Sequence, residues 1–88
     1  MWQIKWRDQA YKELKKLDSS IQKRILKFTR EKVMSTDNPR QFGQPLLHDK
    51  SGFWRYRVGD YRLICQIEDA RLTVLVLDCG HRKEIYDH

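Results

Sequence analysis

Cysteine is scarce in this 88-residue chain: Cys65 and Cys79 are the only two, and neither sits in a CxxC. Two thiols do not make a disulfide framework, and no His or Cys spacing resembles a zinc site. Reduced thiols in a cytosolic protein are expected, with no metal and no cofactor implied. Long apolar runs are missing too, so nothing approaches a membrane span, and Met1-Trp2-Gln3-Ile4-Lys5 does not begin a secretory signal. The expected compartment is the cytoplasm. Glycine and proline number only four and two, and most of them punctuate one irregular stretch at Pro39, Gly43, Pro45 and Gly52. No Gly-rich phosphate loop, Ser-His-Asp pattern or pair of catalytic carboxylates can be assembled, which argues against a nucleotide-dependent enzyme or a protease.

What is present is charge. Hydrophobic residues make up 40% and charged residues 34%, a balance that suits one soluble folded domain over residues 1–88. The formal net charge is +6, and it is unevenly spread: residues 1–34 hold ten Lys or Arg against four acids, residues 35–88 hold eight against eight. A basic surface of this size favours nucleic acid or another acidic partner, although lysines on a solvated helical face would look the same.

Local patterns predict a β-α-α-β-β-β order. Trp2 to Trp6 alternates apolar and polar as a short strand. Asp8 is placed to cap a first helix carrying Ala10, Tyr11, Leu14 and Leu17 and ending near Asp18. Ser19 and Gln22 fit a capping box for a second helix, with Ile21, Ile25 and Phe28 as its buried stripe, Leu26 and Val33 widening it, and Asn38-Pro39 closing it. Three strands follow, at about 53–58, 61–67 and 71–79. These elements predict an α+β domain, a four-stranded, antiparallel-rich sheet packed on an N-terminal helical hairpin.

Gly59-Asp60 suits a tight hairpin, because Gly supplies the positive φ at the first central position. That turn pairs Val58 with Tyr61, Arg57 with Arg62, Tyr56 with Leu63 and Arg55 with Ile64. The expected core face is then Trp54, Tyr56, Val58, Tyr61, Leu63, Cys65, Ile67, Leu72, Val74 and Val76, with Cys65 opposite Val74. The other face carries Arg55, Arg57 and Arg62 beside the apolar Ile64, Leu75 and Leu77. Opposed like charges cost stability. A chain that tolerates them is presenting the cluster to an anion, and phosphate fits the planar guanidinium fork. The tail Gly80-His81-Arg82-Lys83-Glu84-Ile85-Tyr86 adds a His that titrates near neutrality, another guanidinium, and a Tyr able to stack on a base or take a proton.

The two stretches Phe53-Trp54-Arg55-Tyr56-Arg57-Val58-Gly59-Asp60-Tyr61-Arg62-Leu63-Ile64 and Gly80-His81-Arg82-Lys83-Glu84-Ile85-Tyr86 resemble the RelE branch of the RelE/ParE toxin superfamily. Length, element order and the basic helical hairpin extend the resemblance over essentially the whole chain. It implies a type II toxin–antitoxin protein that cuts messenger RNA in the ribosomal A site without a metal. The 2′-hydroxyl attacks the adjacent phosphate and leaves a 2′,3′-cyclic phosphate. By position, Arg62 and Arg82 match the family's phosphate-stabilising arginines and Tyr86 its C-terminal tyrosine. Arg55 and Arg57 stand where the founding member has lysines. Arginine effectively never loses its proton, so the resemblance leaves His81 or Tyr86 as general base, with Arg55 and Arg57 electrostatic. It further implies an antitoxin partner that covers basic residues and displaces the C-terminal element, with a toxin–antitoxin heterotetramer as one assembly. Lys12, Lys15, Lys16, Lys23, Arg24 and Lys27 become contacts to ribosomal RNA phosphates, bringing salt-dependent affinity rather than sequence choice. The competing readings are a ParE-like poison of DNA gyrase, acting by binding alone, and an RNA-binding module without catalysis.

Overall fold

Alternating strand patterns and short amphipathic helices assemble as β1 (Gln3–Trp6), α1 (Asp8–Lys15), α2 (Ser19–Phe28), β2 (Gln44–Pro45), β3 (Phe53–Val58), β4 (Tyr61–Glu68) and β5 (Thr73–His81). This is a computed structural model, and it describes residues 1–46 and 52–81. The sheet order is β1-β5-β4-β3-β2. β1 runs parallel to β5, and the other pairs are antiparallel. The α+β architecture agrees with the sequence, but the sheet has five strands where four were predicted. The extra one is β2, whose two residues pair with Arg55 and Trp54. It is too short to show alternation, and Pro45 lacks the N–H needed to extend a ladder.

The helix ends differ from the predicted caps. Arg7, not Asp8, is the cap residue of α1, and Asp8 lies in the first turn, where a carboxylate favours the helix dipole. α1 ends at Lys15 and tightens, with Lys16 N–H on Glu13 O and Leu17 N–H on Leu14 O. α2 is capped from Asp18 rather than Ser19. The Gln22 amide serves the preceding helix instead: its Nε2 donates to Leu17 O at 2.7 Å and Lys15 O at 3.3 Å, covering the open carbonyls at the end of α1. Beyond Phe28 the backbone widens into a π turn over Thr29–Val33. Asn38 then opens a new 3-10 turn, Pro39–Phe42, by accepting from Arg40 N–H at 3.1 Å, so Asn38-Pro39 starts an element rather than closing α2.

The helices cover one face of the sheet. Ala10, Leu14, Ile25 and Val33 pack with Trp2, Tyr56, Leu63, Cys65, Ile67, Val74, Val76 and Cys79 in the buried core. Tyr11 and Leu26 fall outside it, at 50% and 38% exposed, because the stripe on each short helix is narrower than the apolar positions suggest. The β3–β4 register is the predicted one. The β4–β5 register is not: Glu68 pairs with Thr73, so four residues connect the strands and Cys65 faces Val76 instead of Val74. The wider loop holds Leu72 at φ 48° and leaves it 46% exposed, which removes it from the predicted core face. A shift of two preserves facing, so the other core assignments survive.

Further along β5 a bulge intervenes, since Cys65 pairs with Val76 but Ile64 with Asp78, leaving Leu77 as the extra residue. Side chains at the start of the chain hold this point. Arg7 donates from Nε and Nη2 to Leu77 O at 3.2 and 2.9 Å and lies 3.5 Å from the Asp78 carboxylate. Glu13 Oε1 accepts the Cys79 N–H at 2.9 Å. We predict that Glu13→Ala, which strands that partly buried N–H, lowers stability by about 1–3 kcal/mol, and Glu13→Gln by less. Unchanged urea midpoints in both variants would show that the bond contributes nothing. Leu72→Gly should raise the midpoint, because a left-handed leucine costs about 1–2 kcal/mol that glycine largely avoids.

Candidate functional site

Strand geometry sends successive residues of β3 to opposite faces, so Trp54, Tyr56 and Val58 turn toward the helices and Arg55 and Arg57 away from them. Gly59, at φ 61°, makes the tight turn that sets Arg57 directly opposite Arg62. Opposed residues on one face have Cβ atoms about 4.5–5.5 Å apart, close enough for two guanidinium groups to grip one phosphate. On the other side of Arg62 the partner position in β5 is Gly80, which offers no side chain. Arg62 is 7% exposed, Arg55 half-buried and Arg57 exposed, so the row runs from the sheet interior outward. Arg55 is oriented by β2: its Nη2 donates to Gln44 Oε1 at 3.0 Å.

Beside this row lies a groove of about 350 Å³, lined by Gln41, Phe42, Gly43, Gln44, Arg55 and Arg57. Gly43 is required by packing rather than by its dihedrals. A Cβ there would lie 2.5 Å from both Arg55 O and Trp54 Nε1. The loop that walls the groove is tied down twice. Tyr56 Oη donates to Pro39 O at 2.7 Å, and burial raises the pKa of that hydroxyl. Arg40 forms a two-pronged contact with Asp69 at 2.9 and 2.8 Å, which raises the Arg40 pKa and lowers that of Asp69, and its guanidinium sits 5.9 Å from the Trp54 ring. Gln41 and Gln44 carried no signal in the sequence, because an amide in an irregular loop looks like any other loop residue.

The remaining candidates are distributed unevenly. His81 pairs with Tyr61, so it belongs to the helix-side face, and its ring packs edge-on against Tyr61 with centroids 5.4 Å apart. Of the two tail residues described, this register puts Gly80 rather than His81 on the arginine side. Arg82 and Tyr86 lie outside the described residues. Lys12, Lys15, Lys16, Lys23, Arg24 and Lys27 are all exposed on the helices. The helices cover the face opposite the arginines, so the chain carries two basic surfaces, back to back. Arg24 leans toward the hairpin tip, where a Cβ on Gly59 would approach its Nη2 to 2.8 Å.

Three comparisons place this geometry among known proteins. The family model described as ParE toxin of type II toxin–antitoxin system, parDE, matches residues 4–86. The toxin RelG of Mycobacterium tuberculosis is 30% identical over 83 residues, covering 94% of this chain and 93% of RelG. In the RelBE toxin–antitoxin complex from the same organism, the similar chain is 28% identical with a TM-score of 0.81, covering 94% of this chain and 93% of that one. A chain of the RelB–RelE antitoxin–toxin complex from Methanococcus jannaschii is 26% identical with a TM-score of 0.73, covering 96% of both.

The cysteines stand apart from this surface. Both are buried and free. Burial raises the pKa of the Cys65 thiol, and that of Cys79 is pushed up to about 12. Raised thiol pKa values leave almost no thiolate at neutral pH, so neither residue is a ready nucleophile. We predict that at pH 8 a thiol-reactive dye labels the folded protein negligibly and labels both cysteines once guanidinium unfolds it. Fast labelling of the folded state would contradict the packing.

Proposed function

This chain belongs to the ParE toxin family of type II toxin–antitoxin systems and is a RelE-like toxin of the RelE/ParE superfamily, and from that premise we propose that it is a ribosome-dependent messenger RNA endoribonuclease. The observation that carries the reading is the direct opposition of Arg57 and Arg62 on the sheet face left clear by the helices. In the proposed reaction the 2′-hydroxyl oxygen attacks the adjacent phosphorus, and the bond from phosphorus to the 5′-oxygen breaks. The products are a 2′,3′-cyclic phosphate and a 5′-hydroxyl. Charge building on the phosphoryl oxygens is met by Arg57 and Arg62, with Arg55 adding field and Arg82 joining from the tail. The 2′-hydroxyl proton goes to a base, and the leaving 5′-oxygen takes its proton from solvent water. Arginine is no base at ordinary pH, and His81 faces the other way, so Tyr86 in its phenolate form is the proposed proton acceptor.

The same surface is the proposed antitoxin site. Relatives of this fold are seen in RelB–RelE complexes, and here Ile64, Leu75 and Leu77 are half-buried on or beside the arginine face. A segment with acidic and apolar side chains would cover both kinds of residue. The exposed lysines of α1 and α2 would contact ribosomal RNA phosphates from the opposite side, with affinity falling as salt rises. Gyrase poisoning by binding alone is the second reading, favoured by the ParE name of the matching family.

Primer extension on a translated message, beside the same RNA free of ribosomes, tests the proposal. Cuts within codons of the translated message alone are expected. Arg62→Ala or Arg57→Ala should slow cleavage by about 10²–10³, the usual effect of removing one transition-state donor, with circular dichroism confirming the fold. His81→Ala should cost far less. Growth arrest with uncut message would favour the gyrase reading, and full cleavage by both arginine variants would sink the assigned site.

A further inference from the structure

We propose that the groove beside β3 is a nucleotide subsite, holding the base next to the cleaved bond against Phe42 and reading it with the amides of Gln44 and Gln41. The assignment deepens the RNA-cleaving reading above and rests on it. It begins with a gap in the sheet. β2 pairs with Arg55 and Trp54, so among the described residues no strand lies next to the flank of β3 beside Arg57. The chain instead passes there as Phe42 and Gly43, leaving about 350 Å³ open between that loop and the two arginines. A space of this size lies at the low end of small-ligand sites. That suits one nucleotide rather than a longer stretch of chain.

The lining has the composition such a ligand needs. Arg55 and Arg57 supply positive charge, Phe42 an aromatic ring, and Gln41 and Gln44 carboxamides, and among the described residues no acidic one lines the groove. Gln44 is also set to one orientation. Its Oε1 takes the Arg55 Nη2 hydrogen at 3.0 Å, so its Nε2 hydrogens remain as donors for an acceptor on a base edge. Position links the groove to the reacting centre. Arg57 belongs to both, lining the groove and facing Arg62 one strand away, a separation of about 4.8 Å. A phosphate gripped by that pair therefore leaves its neighbouring nucleotide at the mouth of the groove. The wall is also rigid before RNA arrives, held by Gly43 against Arg55 O, Tyr56 on Pro39 O and Arg40 on Asp69. Preorganisation of this kind reduces the ordering cost of binding.

The experiment uses the purified full chain with a short RNA whose 2′-positions are O-methylated, so that it binds without being cut. Affinity is measured by fluorescence anisotropy, alongside ribosomal cleavage mapping for the same proteins. Phe42→Leu, which keeps bulk but loses the ring face, should weaken binding about fivefold or more, the scale of losing one base stack. Gln44→Leu should weaken it and relax base preference beside the cut, with the position of the cut in the codon retained. Gln44 is exposed, so that variant remains informative even if Phe42→Leu folds poorly. Affinity and preference within twofold of wild type in both variants, with cleavage intact, would overturn the subsite and leave the nuclease standing. Binding that depends on Phe42 and Gln44 without any ribosomal cleavage would keep the subsite and remove the nuclease. Loss of both would remove both.

Discussion

One tight turn decides which side of the sheet each residue of β3 and β4 faces. Side chains alternate with a period of two, so a one-residue slip of β3 against β4 at Gly59-Asp60 would carry Trp54 and Tyr56 out of the core and turn Arg55 and Arg57 toward the helices. Burying the Arg55 and Arg57 guanidinium groups among aliphatic side chains is far more costly than setting Arg57 opposite Arg62 on the face away from the helices. The core thus enforces the register, and the register enforces the arginine row. Gly59 at φ 61° makes the turn accessible, but the difference between the two faces is what selects it.

The loop from Asn38 to Gln44 stands in a similar relation to the site. Its apolar burial comes from Pro39 and the half-buried Phe42, and it also forms one wall of the groove and supplies the amide that orients Arg55. Its shape comes from distant partners: a hydroxyl on β3 and a carboxylate in the β4–β5 loop. The Arg40–Asp69 contact is largely exposed, so solvent screening limits what it adds to stability. Its role is geometric, joining the wall of the groove to the far end of the long hairpin.

Legibility in the sequence followed the range of the interactions involved. The β3–β4 pairing was readable because two turn residues determine it locally. The order of elements and most of the core were readable because apolar residues recur at helical or strand spacing. The β4–β5 register was not, since a four-residue connection with a left-handed Leu72 has no chemical marker: leucine is among the last residues expected there. The bulge at Leu77 was equally silent, because Arg7 and Glu13, which hold it, lie about seventy positions away in the chain. That bulge and the hairpin end together put His81 with Tyr61 rather than with Arg62. Short polar pieces such as β2, and glutamines whose meaning depends on a neighbour in space, stay unreadable for the same reason.

The parallel pairing of β1 with β5 has a temporal meaning. Gln3 is bonded into register with Thr73, so β1 has no partner until Thr73, about seventy residues later in the chain, is made. At about 5–20 residues per second, the nascent chain spends roughly 4–14 s with β1 unpaired. Arg57 and Arg62 meet earlier, but Gly80 and the strand beside them arrive only with β5. Vectorial synthesis thereby delays completion of the arginine face until β5 has been made.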